Sequence, residues 1–129
     1  GEIVAALQAE LVKTVVGDPR SAGVGMGPLA SLAQRDEVLA RVAELERESE
    51  RVAGDPGRFE VAGGDRARGA FLPPMLLVCR DPARARAVHE VEAFGPVSTV
   101  MAYDTPAEAI ALARRGEGSL AGSVFTADD

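Results

Sequence analysis

A carboxylate and an aromatic ring lie two residues apart in the second half of the chain. Glu92 and Phe94 are separated by Ala93 and followed at once by Gly95-Pro96, a pair that fixes a turn. A carboxylate can accept hydrogen bonds from vicinal sugar hydroxyls, and a ring can pack on the face of a flat heterocycle. The stretch therefore suits a ribosyl-heterocycle ligand. The alternative interpretation, and the commoner meaning of so short a pattern, is a turn at a strand entry with one exposed acid and one core Phe.

Cysteine and histidine, two other residue types that often carry chemistry, occur once each. Cys79 closes the apolar run Met75–Val78, where a thiol usually serves as a small buried hydrophobic group. His89 has no other histidine or cysteine ligand near it in the sequence, so a position at a helix end or on the surface is expected. We therefore predict neither a nucleophile at Cys79 nor a metal site.

The composition is that of one globular unit. With 129 residues, 47% of them apolar, the chain is long enough for one core. The net charge is −6, and the 14 Lys and Arg are interleaved with 20 Asp and Glu instead of forming a basic patch. No apolar stretch approaches the roughly 18 residues of a membrane span, and no secretory leader opens the chain. We therefore expect a cytoplasmic protein with no nucleic-acid and no membrane partner.

Hydrophobic periodicity predicts the elements that must position these residues. Apolar side chains at three- and four-residue spacing predict helices, and short apolar runs bounded by Gly, Pro or Asp predict strands. Two helices begin at capping boxes, Ser31–Gln34 and Thr105–Glu108. In chain order we expect helix 2–15, helix 31–53, strand 59–61, strand 76–79, helix 81–89, strand 97–103, helix 106–115 and strand 120–126. Alternating strands and helices of this kind predict an α/β fold, a mostly parallel sheet with flanking helices.

Several motifs follow one another in the order found in the aldehyde dehydrogenase superfamily. They are Val16-Gly17-Asp18-Pro19, Gly27-Pro28-Leu29 with Gln34, Gly69-Ala70-Phe71-Leu72-Pro73-Pro74, Glu92-Ala93-Phe94-Gly95-Pro96, and Ser119 to Asp128. The chain resembles this family from end to end, as part of its catalytic domain (residues 1–129). Ala87-Val88-His89 and Gly118–Gly122 are most similar to the aldehyde dehydrogenase domain of the bifunctional phenylacetate-degradation protein and its benzoyl-CoA-pathway relatives.

The resemblance implies an enzyme that oxidises an aldehyde to the acid through a cysteine thiohemiacetal, with NAD or NADP as cofactor. It implies that Glu92 binds the nicotinamide ribose hydroxyls and that Phe94 packs against the nicotinamide. It also implies a homo-oligomer and, from the sub-family, a CoA-linked semialdehyde substrate of aromatic-acid degradation. The choice between NAD and NADP stays open, because the residue that reads the 2′ position belongs to the dinucleotide-binding domain.

The same resemblance places the nucleophile and the general base upstream of Gly1, so we assign no catalytic residue within the chain. We expect the dinucleotide-binding domain and the C-terminal segment to be absent from these 129 residues. Two functional classes remain open: a fragment of an aldehyde dehydrogenase, and a non-catalytic module that folds or oligomerises without activity of its own. We expect the 129 residues alone to be inactive.

Overall fold

A sheet of three short strands forms the centre of the molecule. The computed structural model describes residues 1–116 and 121–126. The strands β1 (Ser49–Ala53), β2 (Met75–Cys79) and β3 (Val97–Met101) lie in the order β1-β2-β3. β2 pairs antiparallel with β1 and parallel with β3. Because β2 is hydrogen-bonded on both edges and apolar throughout, four of its five side chains are buried.

Four helices accompany the sheet in the described residues. They are α1 (Glu2–Leu11), α2 (Leu32–Leu45), α3 (Ala87–Glu90) and α4 (Pro106–Arg115). The predicted α/β class with flanking helices is confirmed, and the sheet is mixed. The predicted start of α2 and both ends of α4 are also confirmed. The Thr105 side chain accepts from the Glu108 backbone N–H at 3.2 Å, and the Glu108 carboxylate accepts from the Asp104 N–H at 2.9 Å.

The core lies between α2 and the sheet. α2 buries Val38, Val42 and Leu45, which lie on one face because they are four and three residues apart. Val38 and Val42 pack with Leu72 and Met75 in one cluster. A second cluster joins Leu45 and Leu77 to Ala93, the residue between Glu92 and Phe94. α2 therefore anchors both the central strand and the loop that leads into β3.

Both N-terminal helices end earlier than their patterns predict. α1 ends at Leu11 instead of residue 15, since the N–H groups of Lys13 and Thr14 bond to carbonyls three residues back, and Val16 then pairs with Met26 in a bridge. The prediction that α2 extends to Ala53 is wrong beyond Leu45. Residues 49–53 form β1 instead, because pairing with β2 satisfies their backbone groups against a buried partner strand.

The other differences lie in the connections. Residues 59–61 form no strand; the bridge in this region joins Ala62 to Gly17. The predicted helix 81–89 is reduced to α3, and β3 ends at Met101 instead of Tyr103. In the last predicted strand, Leu120 lies outside the described residues, and residues 121–126 are exposed and form no strand.

Candidate functional site

The connection from α3 to β3 carries both predicted site residues. Ala93 is 9% exposed and packs with Leu45 and Leu77, so its methyl group fixes the middle of the loop to the core. The neighbours on either side, Glu92 and Phe94, are both exposed, and Phe94 retains 72% of its accessible surface. The core position that the alternative interpretation gives to Phe94 is therefore wrong, whereas its turn before a strand and its exposed acid agree with the structure.

The backbone of Phe94 adopts a conformation that is rare for an aromatic residue. Its φ is +53°, in the left-handed region, and within the described part of the chain no other non-glycine residue has a positive φ. Gln34, at the start of α2, donates from its side-chain Nε2 to the Phe94 carbonyl oxygen at 3.0 Å. This bond links the loop to α2 across 60 residues of sequence.

Gly95 lies directly on α2. A Cβ atom at this position would come within 2.7 Å and 2.8 Å of the two γ-methyl groups of Val38, so there is no room for a side chain. The Val97 N–H donates to the Gly95 carbonyl at 2.7 Å, and the Met75 N–H donates to the Pro96 carbonyl at 2.7 Å. The loop is thus fixed to α2 and to the first residues of β2 and β3.

The start of α3 is held by a carboxylate from the segment after α2. Oε2 of Glu48 accepts from the backbone N–H groups of Arg86 and Ala87, at 2.9 Å and 2.7 Å. These donors belong to the first turn of α3 and have no partner within the helix, so an acidic group there stabilises it. The segment from α3 to Pro96 is therefore held at both ends.

Glu92 and Phe94 are free to meet a ligand. Within the described residues, no hydrogen bond or ion pair engages the Glu92 carboxylate. An unpaired carboxylate can accept hydrogen bonds from the hydroxyl groups of a ligand, and an exposed ring can pack on a flat heterocycle. Neither of two large surface grooves, of about 720 Å³ and 460 Å³, includes either residue. The loop presents them on an open surface.

The contacts of Cys79 and His89 are those of residues that stabilise the fold. Cys79 is 1% exposed at the end of β2, as expected for a small buried hydrophobic group. His89 lies in the last turn of α3, and its Nε2 is 2.9 Å from the Pro82 carbonyl, which also accepts from Arg115 at 2.7 Å. Among the residues the structure describes, no group of three or more His, Cys, Asp or Glu could hold a metal ion.

The sequence places Gln34 in a capping box and among the ordered motifs, but it predicts no contact for the Gln34 side chain. The Ser31 hydroxyl does accept from the Gln34 N–H, at 3.1 Å. The Gln34 side chain, however, spans Ala30 and Phe94 instead of closing on Ser31. A glutamine at the third position of a helix gives no sign of a partner 60 residues away. Its place in the ordered motifs was the signal that could have drawn attention to it.

None of the helices in the described ranges is long and apolar enough to cross a membrane.

Comparisons with known proteins agree on one family. The model of the family described as "Aldehyde dehydrogenase family" matches residues 1–129. The 3,4-dehydroadipyl-CoA semialdehyde dehydrogenase of Aromatoleum evansii is 45% identical over 95% of this chain and 24% of its own length. Protein MaoC of Klebsiella aerogenes is 44% identical over 79% of this chain and 29% of its own length.

Solved structures share the fold. Betaine aldehyde dehydrogenase from Staphylococcus aureus, in complex with NAD+, has a TM-score of 0.82 and 30% identity, over 98% of this chain and 24% of that chain. Mycobacterium tuberculosis aldehyde dehydrogenase complexed with NAD+ has a TM-score of 0.71 and 34% identity, over 87% and 22%. The chain spans about a quarter of the length of these relatives.

Proposed function

Because the chain belongs to the aldehyde dehydrogenase family, we propose that it is part of the catalytic domain of an enzyme that oxidises an aldehyde with NAD or NADP. The observation that carries this proposal is the loop from Glu92 to Pro96, which holds an unpaired carboxylate and an exposed ring on a fixed backbone. The dinucleotide-binding domain and the C-terminal segment of the enzyme would lie outside residues 1–129, which span about a quarter of the relatives' length.

Glu92 and Phe94 would hold the nicotinamide half of the cofactor. When bound, the nicotinamide ring supplies the hydride acceptor for the oxidation. The Glu92 carboxylate accepts hydrogen bonds from the ribose hydroxyls, and the Phe94 ring packs against the nicotinamide end. Together they fix the position of the ring relative to the aldehyde, and positioning of this kind is a large part of catalysis.

We further propose a CoA-linked semialdehyde as the substrate. The relative named for such a substrate is 45% identical to this chain, whereas the betaine aldehyde dehydrogenases of Brucella are 36% identical. This difference supports the sub-family resemblance to enzymes of aromatic-acid degradation. The proposal includes assembly of the enzyme as a homo-oligomer, as the family resemblance implies. The NAD+ complexes among the similar structures support NAD as a cofactor without separating it from NADP.

A second, non-catalytic reading applies to the 129 residues by themselves. The only cysteine of the chain, Cys79, is 1% exposed inside the central strand, so its thiol cannot reach an aldehyde. Nucleophilic catalysis by cysteine needs an accessible thiolate. We infer that these residues bind and position the cofactor in the enzyme and supply no nucleophile.

The cofactor assignment is tested in the full-length enzyme with Glu92→Gln and Phe94→Ala. Each change should lower kcat about five- to thirtyfold, the effect of losing about 1–2 kcal/mol of positioning, while the nucleotide KM changes less because the adenosine half is bound elsewhere. Matched controls are Glu60→Gln, an exposed acid without a partner in the described residues, and Tyr103→Ala, an aromatic residue that is 58% exposed. Both controls should keep normal turnover.

The opposite pattern would return the motif to a structural turn. In that case Glu92→Gln has no effect, and Phe94→Ala lowers the melting temperature while the folded enzyme keeps its turnover. Steady-state kinetics with both nucleotides, combined with thermal unfolding of each variant, separate the two outcomes.

A further inference from the structure

Gln34 uses its backbone N–H and both polar ends of its side chain at one junction. Its backbone N–H donates to the Ser31 hydroxyl at 3.1 Å, and its side-chain Oε1 accepts from the Ala30 N–H at 3.0 Å. The remaining side-chain group, Nε2, donates to the Phe94 carbonyl at 3.0 Å. Because both ends of the amide are engaged, the side chain is fixed in one orientation.

The direction of the Phe94 carbonyl depends on the backbone conformation of the loop. A residue with a positive φ directs its carbonyl and its side chain differently from an extended residue, and such a conformation persists only where the surroundings impose it. Two contacts from α2 lie at this point of the loop: the Gln34 bond to the Phe94 carbonyl, and the close approach of Gly95 to Val38.

We propose that Gln34 is a positioning residue for hydride transfer. It holds Phe94 in the left-handed conformation, so that the ring remains exposed where the nicotinamide end of the dinucleotide would meet it. This role rests on the function proposed for Phe94. It assigns the first turn of α2, which lies far from the loop in sequence, to the cofactor site.

Gln34→Glu isolates the donor. A glutamate keeps the acceptor for the Ala30 N–H and leaves the Ser31 cap in place, but it puts a carboxylate oxygen against the Phe94 carbonyl, where no hydrogen bond forms. The matched control is Gln8→Glu, because Gln8 makes the same kind of bond from α1, from its Nε2 to the Val52 carbonyl at 2.6 Å. Each variant loses one amide-to-carbonyl bond, and only Gln34→Glu loses it at the loop.

In the full-length enzyme we expect Gln34→Glu to lower kcat about tenfold, with the nucleotide KM within about twofold of the wild-type value. Hydrogen–deuterium exchange of residues 91–97 should become faster, because the loop opens more often. Gln8→Glu should leave both kcat and the exchange of residues 91–97 unchanged, whatever it does to the melting temperature. A general loss of stability would affect the two variants alike.

Two results overturn the inference, and they are distinguishable. Normal turnover in Gln34→Glu, in an enzyme where Phe94→Ala impairs turnover, removes the role of Gln34 and leaves the proposed function intact. If Glu92→Gln and Phe94→Ala have no effect on turnover, the cofactor role proposed for these two residues fails. The positioning role of Gln34 then fails with it, even where exchange of residues 91–97 has increased.

Discussion

At the scale of single residues, Asp18 shows how local geometry sets the acidity of one carboxyl group. Oδ2 of Asp18 accepts from the Arg20 guanidinium at 2.6 Å, and Oδ1 accepts from the Arg20 backbone N–H at 3.0 Å. Both bonds favour the charged carboxylate, the guanidinium contributing more, and they lower the pKa of Asp18 from 3.8 to about 2. Pro19 between the two residues restricts the backbone and so favours this contact.

Arg20→Gln should raise the pKa of Asp18 part of the way back towards 3.8, because the bond from the backbone N–H of residue 20 remains. A carboxyl group whose pKa is lower in the folded than in the unfolded state stabilises the protein at every pH above the unfolded pKa. This contribution to stability is lost as the pH falls from about 4 to about 2. The variant should therefore show a weaker dependence of stability on pH in that window. A ¹³C NMR titration of labelled aspartate carboxyls measures the shift.

The control for this titration is Arg58→Gln, since the Arg58 side chain is exposed and makes no ion pair in the described residues. It should leave the pKa of Asp18 unchanged. An Asp18 pKa that stays near 2 in Arg20→Gln would show that the guanidinium is not its main cause.

At the scale of elements, the packing of Gly95 on α2 predicts a coupled pair of substitutions. Gly95→Ala puts a methyl group 2.7–2.8 Å from the γ-methyl groups of Val38, which is β-branched, 0% exposed and unable to rotate away. We expect the melting temperature of the full-length protein to fall by the few degrees that an overpacking cost of about 1–3 kcal/mol produces. In a Val38→Ala background, the same glycine substitution should cost less.

A double-mutant cycle on melting temperature measures this coupling. If Gly95→Ala were equally damaging with Val38 and with Ala at that position, the close approach to α2 would not be the reason that glycine occupies the site.

Sequence patterns predicted the elements whose signals are local. α4 was predicted because Thr105, Pro106 and Glu108 announce a helix start, and β2 because its apolar run is bounded by Pro74 and Asp81. β1 was mistaken for helix because Val52 continues the helical spacing of α2, and only its pairing with β2 decides otherwise. The sequence placed Glu92 and Phe94 on a loop, but the bond from Gln34 depends on contacts that form across 60 residues.

At the scale of the whole molecule, several large apolar side chains face solvent. Val12 is 82% exposed, and Val124 and Phe125 are 91% and 93% exposed. Exposed apolar groups of this size favour association. We expect the 129-residue chain, expressed alone, to self-associate with increasing concentration in light scattering and to reduce neither NAD+ nor NADP+ in the presence of aldehydes.

Replacing both Val124 and Phe125 with serine should weaken this association without affecting the sheet, because residues 121–126 belong to no strand. A strictly monomeric wild-type chain at high concentration would show that the exposed side chains do not drive contact between copies.

Aldehyde oxidation that Cys79→Ala abolishes would contradict the structural role given to that residue.

Because Cys79 is buried, the rate of its chemical modification can measure the opening of the folded structure. A thiol reagent can reach its sulfur only when the structure around the end of β2 opens, and the 129 residues contain no second thiol. At low reagent concentration the rate of modification follows the population of opened molecules, and at high concentration it approaches the rate of opening itself. The modification rate of one native side chain thus measures how often, and how fast, the structure around the end of β2 opens, without any engineered cysteine.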